Sequence, residues 1–273
     1  MRSRDQIKTG RNLPLATLVG LLLFGLVLLS TFLANWLFLP LLTLFVALAI
    51  SELVDVFNKK AHMVPKWILI ALAFPLFTAA YFGELTHLVT VFGISILTLI
   101  VAALKIGVDD FVNRFSRSLL VLTYLPFMAA FVLLMLNQED GALRVLAFIL
   151  LTVASDTGAY FSGIIFGKHP MSPKVSPSKT WEGFVGGLFL QMIFGALIFH
   201  FFFAQSIWLG LTAAAIMTVT AVIGDLFESA IKRDAGIKDM SGVLPGHGGV
   251  LDRLDSLIPN ALVAWIVFSW LLP

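Results

Sequence analysis

Nine long apolar runs dominate this sequence, and their length limits it to one kind of fold. A nearly uncharged run of about 18–20 residues is long enough, as a helix, to cross a hydrocarbon core of about 30 Å. The runs are Leu13–Leu33, Trp36–Val56, Trp67–Phe82, Leu85–Leu104, Ser118–Leu136, Ala142–Phe166, Phe184–Ala204, Ile207–Ile231 and Leu257–Leu272. Of the 273 residues 59% are hydrophobic and 12% charged, where a soluble domain carries about 25% charge. Mean hydropathy is +0.97. The expected fold class is all-α: a polytopic integral membrane protein of about nine transmembrane helices forming a single transmembrane domain over residues 1–273, with eight or ten spans left open by the tight turns at Ala34-Asn35 and Gly83-Glu84.

The basic residues set the expected orientation, because Lys and Arg are retained on the cytoplasmic side. With the N-terminus inside and the C-terminus outside, seventeen of the eighteen Lys and Arg fall in cytoplasmic segments, and only Arg144 falls outside. A wrong span count would scramble that alternation. The first run leads through Ala34-Asn35-Trp36 straight into the second, so it is expected to be a retained span and not a removed leader. The outer connections are short, so the chemistry is expected at the cytoplasmic face of a multi-pass protein of the cell membrane. Residues 1–140 supply N-terminal spans. Residues 141–273 supply catalytic spans with cytoplasmic loops at 167–183 and 232–256. A net charge of +2 gives no footprint for nucleic acid, and the absence of cysteine excludes disulfides and thiolate metal sites.

Three features stand above the apolar background. Asp156, near the middle of the sixth run, carries a carboxylate whose insertion at that depth costs about 2.5–3.5 kcal/mol, so it must face a polar cavity or a partner. The loop GKHPMSPKVSPSKTWEG, 167–183, holds three prolines that prevent a continuous helix, and its lysines and hydroxyls suit phosphate oxygens. In AVIGDLFESAIKRD, Asp225, Glu228, Ser229 and Lys232 are spaced i, i+3, i+4 and i+7, which places them on one helical face. Beyond them come Lys238, His247-Gly248-Gly249, and Asp252 with Asp255 three residues on. Carboxylates arriving from two helices offer hard oxygen ligands for Mg²⁺, which is held by one or two carboxylates plus substrate phosphates. His62, His87, His169 and His200 stand alone and are read as interfacial or packing residues. No Ser–His–carboxylate arrangement marks a protein nucleophile, and no GxxxxGK[ST] loop is present. A metal-assisted reaction of a phosphate substrate fits these parts, because phosphoryl-type transfer needs positioning and charge neutralisation more than covalent help.

The stretch from Ser229 to Asp255 also resembles a known family. Ser229, Lys232-Arg233, Lys238-Asp239, Ser241, Leu244-Pro245, His247-Gly248-Gly249, Asp252-Arg253 and Asp255 match the signature of the phosphatidate cytidylyltransferases, or CDP-diacylglycerol synthases, in order and spacing. SPSKTWEG, Ser176 to Gly183, resembles a second element of that family. The likeness implies that CTP and phosphatidate drawn from the bilayer condense to CDP-diacylglycerol and pyrophosphate, with Mg²⁺ required. It also implies a second, monovalent cation such as K⁺, and a homodimer. By this resemblance Asp225 and Asp252 are metal ligands, with Asp156, Asp255 and Glu228 of second rank. Lys232, Arg233, Lys238 and Arg253 would neutralise the phosphates, while His247 donates to a phosphate or fixes its loop. Substrate would be held by Ser176, Lys179, Thr180 and Glu182 from the first loop, and by Ser229, Gly248 and Gly249 from the second.

Three other readings compete. A secondary transporter would also carry intramembrane carboxylates, but it predicts related motifs in two halves of the chain, and here they crowd the second half. A CDP-alcohol phosphotransferase would need DGxxARx8GxxxDxxxD, which Asp140-Gly141-Ala142-Leu143-Arg144 does not continue. A CTP-using polyprenol kinase would phosphorylate an alcohol, and an assay of substrates separates it.

Overall fold

The structure, a computed structural model, describes residues 13–59, 63–243 and 248–273. Nine helices among these residues fall on the nine apolar runs: α1 (Leu13–Phe32), α2 (Phe38–Asn58), α3 (Lys66–Phe82), α4 (Leu85–Ile106), α5 (Phe111–Leu136), α6 (Gly141–Phe166), α7 (Trp181–Phe203), α8 (Ile207–Asp234) and α9 (Leu257–Leu271). Seven of them, α2 and α4 to α9, lie in segments long and apolar enough to cross a membrane, whereas α3 is a shorter apolar helix. The protein is an all-α polytopic membrane protein.

The main departures from the apolar runs lie at their polar margins. Helix α5 begins at Phe111, seven residues before the apolar run, and its buried Arg114 donates to the carbonyls of Ala103 and Gly107 at the end of α4 and of Asp109 in the turn after it. Within α5 the turn Thr123–Phe127 widens around Pro126, whose ring cannot donate to the helical ladder. The proline-bearing loop between α6 and α7 folds into a small hairpin, β1 (Pro170–Ser172) antiparallel to β2 (Ser176–Thr180). A single helical turn, Leu251–Leu254, leads into α9.

Helix α5 lies at the centre: 72% of its apolar window is buried, against 28% for α4 and α7, which present Leu97, Phe189 and other large side chains outward as lipid-facing helices do. On the other side α6, α7 and α8 pack face to face through small residues. Ser155, Ala159 and Gly163 repeat every fourth residue on α6, opposite Gly183 and Gly187 on α7. A methyl group added at Gly187 would stand 2.8 Å from the Ser155 carbonyl oxygen, and one at Gly158 2.7 Å from that of Gly186. Such stripes let helix backbones approach where lipid supplies no hydrophobic drive for association. Helices α7 and α8 cross in the same way at Gly195 and Gly210.

That contact predicts a sharp positional contrast. Gly187→Leu should cost about 1–3 kcal/mol by overpacking, lowering the apparent Tm in detergent by several degrees. Gly93→Leu, where an added carbon meets nothing within 4 Å, should leave the Tm unchanged. Equal shifts in both variants would remove the packing argument.

Candidate functional site

Helix α8 has 28 residues and rises about 42 Å, longer than a hydrocarbon core of about 30 Å. One end must therefore emerge, and its polar residues from Asp225 onward mark which. The helix stops after Asp234 at a glycine turn: Gly236, with φ of +72°, donates to the Arg233 carbonyl at 3.1 Å, and Ile237 to that of Lys232 at 2.9 Å. The chain then turns back beneath α8 toward α9.

The face expected on α8 forms. The Lys232 ammonium donates to Glu228 Oε2 at 2.6 Å, one turn earlier, and to Asp252 Oδ1 at 2.8 Å, across the turn that precedes α9. The Glu228 side chain is fully enclosed, and its Oε1 is a buried oxygen with no protein partner. Asp252 is further fixed by backbone donors, Gly249 N–H at 2.8 Å and Met240 N–H at 3.1 Å on Oδ2. Gly249 lies so close to Asp252 Oδ2 and Glu52 Oε2 that an added methyl would meet them at 3.0 and 2.8 Å. Gly248 has φ of +84°, a conformation open to glycine.

A second ion pair joins Lys179 at the end of β2 to Asp225, to which the Ser229 hydroxyl donates at 3.4 Å. Lys179, Thr180, Asp225 and Asp156 line a pocket of about 430 Å³, whose other walls include Tyr160 and Phe184. Asp156 is therefore at a polar cavity, as its depth demanded, and it accepts the Ser256 hydroxyl at 2.9 Å. Asp255 accepts the Ser256 N–H at 2.8 Å, while its carbonyl faces the Tyr124 hydroxyl at 3.5 Å.

Other expected residues take different places. Arg233 is exposed and donates to the Val175 and Ile237 carbonyls, tying the hairpin tip to the turn after α8. Lys238 is exposed. Thr180 caps α7 by accepting the Gly183 N–H at 3.1 Å. Glu182 accepts the N–H groups of Lys168 and His169 and contacts His169 Nδ1 at 2.5 Å, so His169 is not the isolated residue the sequence indicated. Ser176 is buried in β2, paired with Ser172. His247 lies outside the described residues. Arg253 lies one residue beyond Asp252 and borders a different cavity. Among the described residues no three carboxylate or histidine side chains stand close enough together to hold a metal ion. Lys179 and Lys232 instead supply the cationic partners of Asp225 and Asp252.

One residue of the site escaped sequence reading. Glu52 of α2 is buried, and its Oε1 accepts the Ser241 hydroxyl at 2.5 Å and the Val250 N–H at 2.9 Å. Its Oε2 accepts the Leu251 N–H at 2.8 Å. A carboxylate at the start of the turn that carries Asp252 satisfies donors that have no helical partner. The signal was present, a carboxylate inside an apolar run, the same cue that drew attention to Asp156. Because the three donors need acceptors on both oxygens, Glu52→Gln should place an amide N–H against a backbone N–H. Losing each buried bond costs about 1–3 kcal/mol. Both Glu52→Gln and Glu52→Ala should lower the apparent Tm and cut activity more than tenfold. Wild-type activity and Tm in both variants would show that the turn holds itself.

The sequence is similar to known proteins over nearly its whole length. Residues 15–271 match the Cytidylyltransferase family. A phosphatidate cytidylyltransferase of Mycobacterium leprae is 32% identical over 98% of this chain and 91% of its own length. Those of Mycobacterium bovis and Haemophilus influenzae are 38% and 42% identical over 59% and 50% of this chain, and over 53% and 50% of their own. The matched range takes in α2 with Glu52 as well as the polar turns after α8, so the likeness is not confined to a short motif. The chain belongs to the cytidylyltransferase family.

Proposed function

We propose that the chain is a phosphatidate cytidylyltransferase, which condenses CTP with phosphatidate to CDP-diacylglycerol and pyrophosphate at the cytoplasmic face of the cell membrane. A phosphate oxygen of the lipid attacks the α-phosphorus of CTP. The bond to the β-phosphate breaks, and pyrophosphate leaves with the electron pair. The observation that carries the reading is the Lys232 ammonium held between Glu228 and Asp252, where a helix longer than the bilayer core emerges. A nucleotide from water and a lipid from the bilayer can meet only at such a boundary.

The residues divide the work by their chemistry. Lys179 and Lys232 are ammonium groups already positioned by carboxylates, and each can turn a donor toward phosphate oxygens with little reorganisation. Ser178, Lys179 and Thr180 bring donors to the pocket beside Asp225, which favours a phosphate there. Lys168, Lys174 and Lys179 lie in the loop between α6 and α7, and Lys232, Arg233 and Lys238 at or after the end of α8, which supports a cytoplasmic side for both.

The donor set also fits the expected Mg²⁺. Asp225 and Asp252 are hard oxygen donors, and Glu228 Oε1 is buried without a partner. Bound by Asp225 and Asp252, the ion would neutralise phosphate charge, with Asp156, Asp255 and Glu228 in support and a monovalent cation such as K⁺ beside it.

The test is product formation by purified protein in detergent from labelled CTP and phosphatidate, with Mg²⁺ and with EDTA. Wild type should release pyrophosphate and CDP-diacylglycerol in equal amounts, only with Mg²⁺. Asp225→Asn, Asp252→Asn and Lys232→Ala should each lose about 10²–10³-fold in kcat, the size found when one transition-state contact is removed. CDP with a phosphorylated alcohol would identify a polyprenol kinase instead. No product from folded wild type would overturn the reading.

A further inference from the structure

A second cavity, of about 400 Å³, lies outside the polar site. Its walls come from α1, α2, α5, α6, α9 and the turn before α9. Among the described residues lining it, Arg253 carries the only charge, and the rest are apolar or glycine. Ordinary packing rarely leaves an apolar space of this size inside a helical bundle. Phe24 of α1 borders it and remains 38% exposed, so the wall is not closed there.

Its shape and polarity suit one class of ligand. From Val250 to Ala261 the wall rises about 17 Å at 1.5 Å per residue, close to one leaflet of a core about 30 Å thick. Water has no polar partners along it, whereas a hydrocarbon chain leaving the bilayer loses nothing by entering. At the end where α9 begins stands a guanidinium, whose planar donors suit the oxygens of a phosphate. Arg253 is next in sequence to Asp252, which Lys232 holds in the polar site. Neighbouring side chains on a helical turn diverge by about 100°. One turn therefore presents Asp252 to the polar site and Arg253 to the cleft.

We infer that this cleft, closed at one end by Arg253, receives an acyl chain of the phosphatidate while the lipid phosphate lies near the turn bearing Asp252 and Arg253. The inference rests on the proposed reaction for the identity of its lipid, and it adds where the chain lies and which residues sense it. Leu42 and Ile149 line the cleft and are only partly buried, so larger side chains there would fill it.

The test compares dioleoyl phosphatidate with dihexanoyl phosphatidate as substrates of wild type, Leu42→Trp and Ile149→Trp. A filled cleft should raise the KM for the dioleoyl lipid about tenfold and leave kcat and the KM for CTP unchanged, the pattern of lost uniform binding. The KM for the dihexanoyl lipid should move less than twofold, since the change is one of chain accommodation. Loss of activity with both lipids alike, or no change with either, would overturn the inference while the reaction stands. An independent arm uses wild type alone: phosphatidate with a diazirine at the end of one acyl chain should label peptides of α2 and α9 on illumination. Labelling confined to α7 and α8 would overturn the cleft assignment. Product from neither lipid, with the label still in α2 and α9, would sink the proposed reaction and keep the lipid site.

Discussion

The structure turns on a single ammonium group. Lys232 joins a buried carboxylate of its own helix to one on the turn before α9. Buried ions lose several kcal/mol of hydration each, and only good geometry with further hydrogen bonds offsets that loss. Asp252 meets both conditions, taking two backbone N–H groups beside the lysine, whereas Glu228, one turn from that lysine, keeps one buried oxygen without a protein partner. At the edge of a bilayer the same arrangement in an apolar setting would be costly to keep unless the charge had work to do. The placement is itself the argument for a site that handles charged groups at the membrane surface.

The remaining elements serve that placement. Small residues bring α6, α7 and α8 close, so that Asp156 of α6, Lys179 of β2 and Asp225 of α8 border one pocket. Looser packing there would separate Lys179 from Asp225, since the first belongs to the hairpin and the second to α8. Carboxylates outnumber ammonium groups around the two ion pairs. A triphosphate approaching them meets repulsion unless a cation accompanies it. That imbalance is the physical ground for the proposed Mg²⁺.

Much of this was legible in the sequence because membrane insertion constrains local composition so strongly. Run length placed the helices, and the start of α4, the end of α6 and the start of α8 fell on the expected residues. The i, i+3, i+4, i+7 spacing on α8 became a real face because helical geometry is local. What stayed hidden was long-range or amphipathic. Glu52 lies nearly two hundred positions from the backbone it holds, and no local period connects the two. The first turns of α5 are polar, and their Arg114 caps the end of α4. The hairpin after α6 was visible only as a break, since prolines say where a helix cannot continue and not what replaces it.

The hold of Glu52 on the turn before α9 explains why the first half of the chain belongs to the site at all. The α2 carboxylate fixes the N-terminal end of a single helical turn through backbone donors, and backbone contacts fix orientation more firmly than side-chain contacts do. That turn is too short to hold its own direction: it spans only Leu251–Leu254. Once fixed, it settles two environments together, because Asp252 and Arg253 must point about 100° apart on any helical turn. Rotation of the turn by one residue would bring the guanidinium to the polar site or the carboxylate to the apolar cleft, according to its sense. A buried carboxylate from a distant helix is a direct way to forbid that rotation, and it ties the first half of the chain to a turn that borders both the cavity and the polar site.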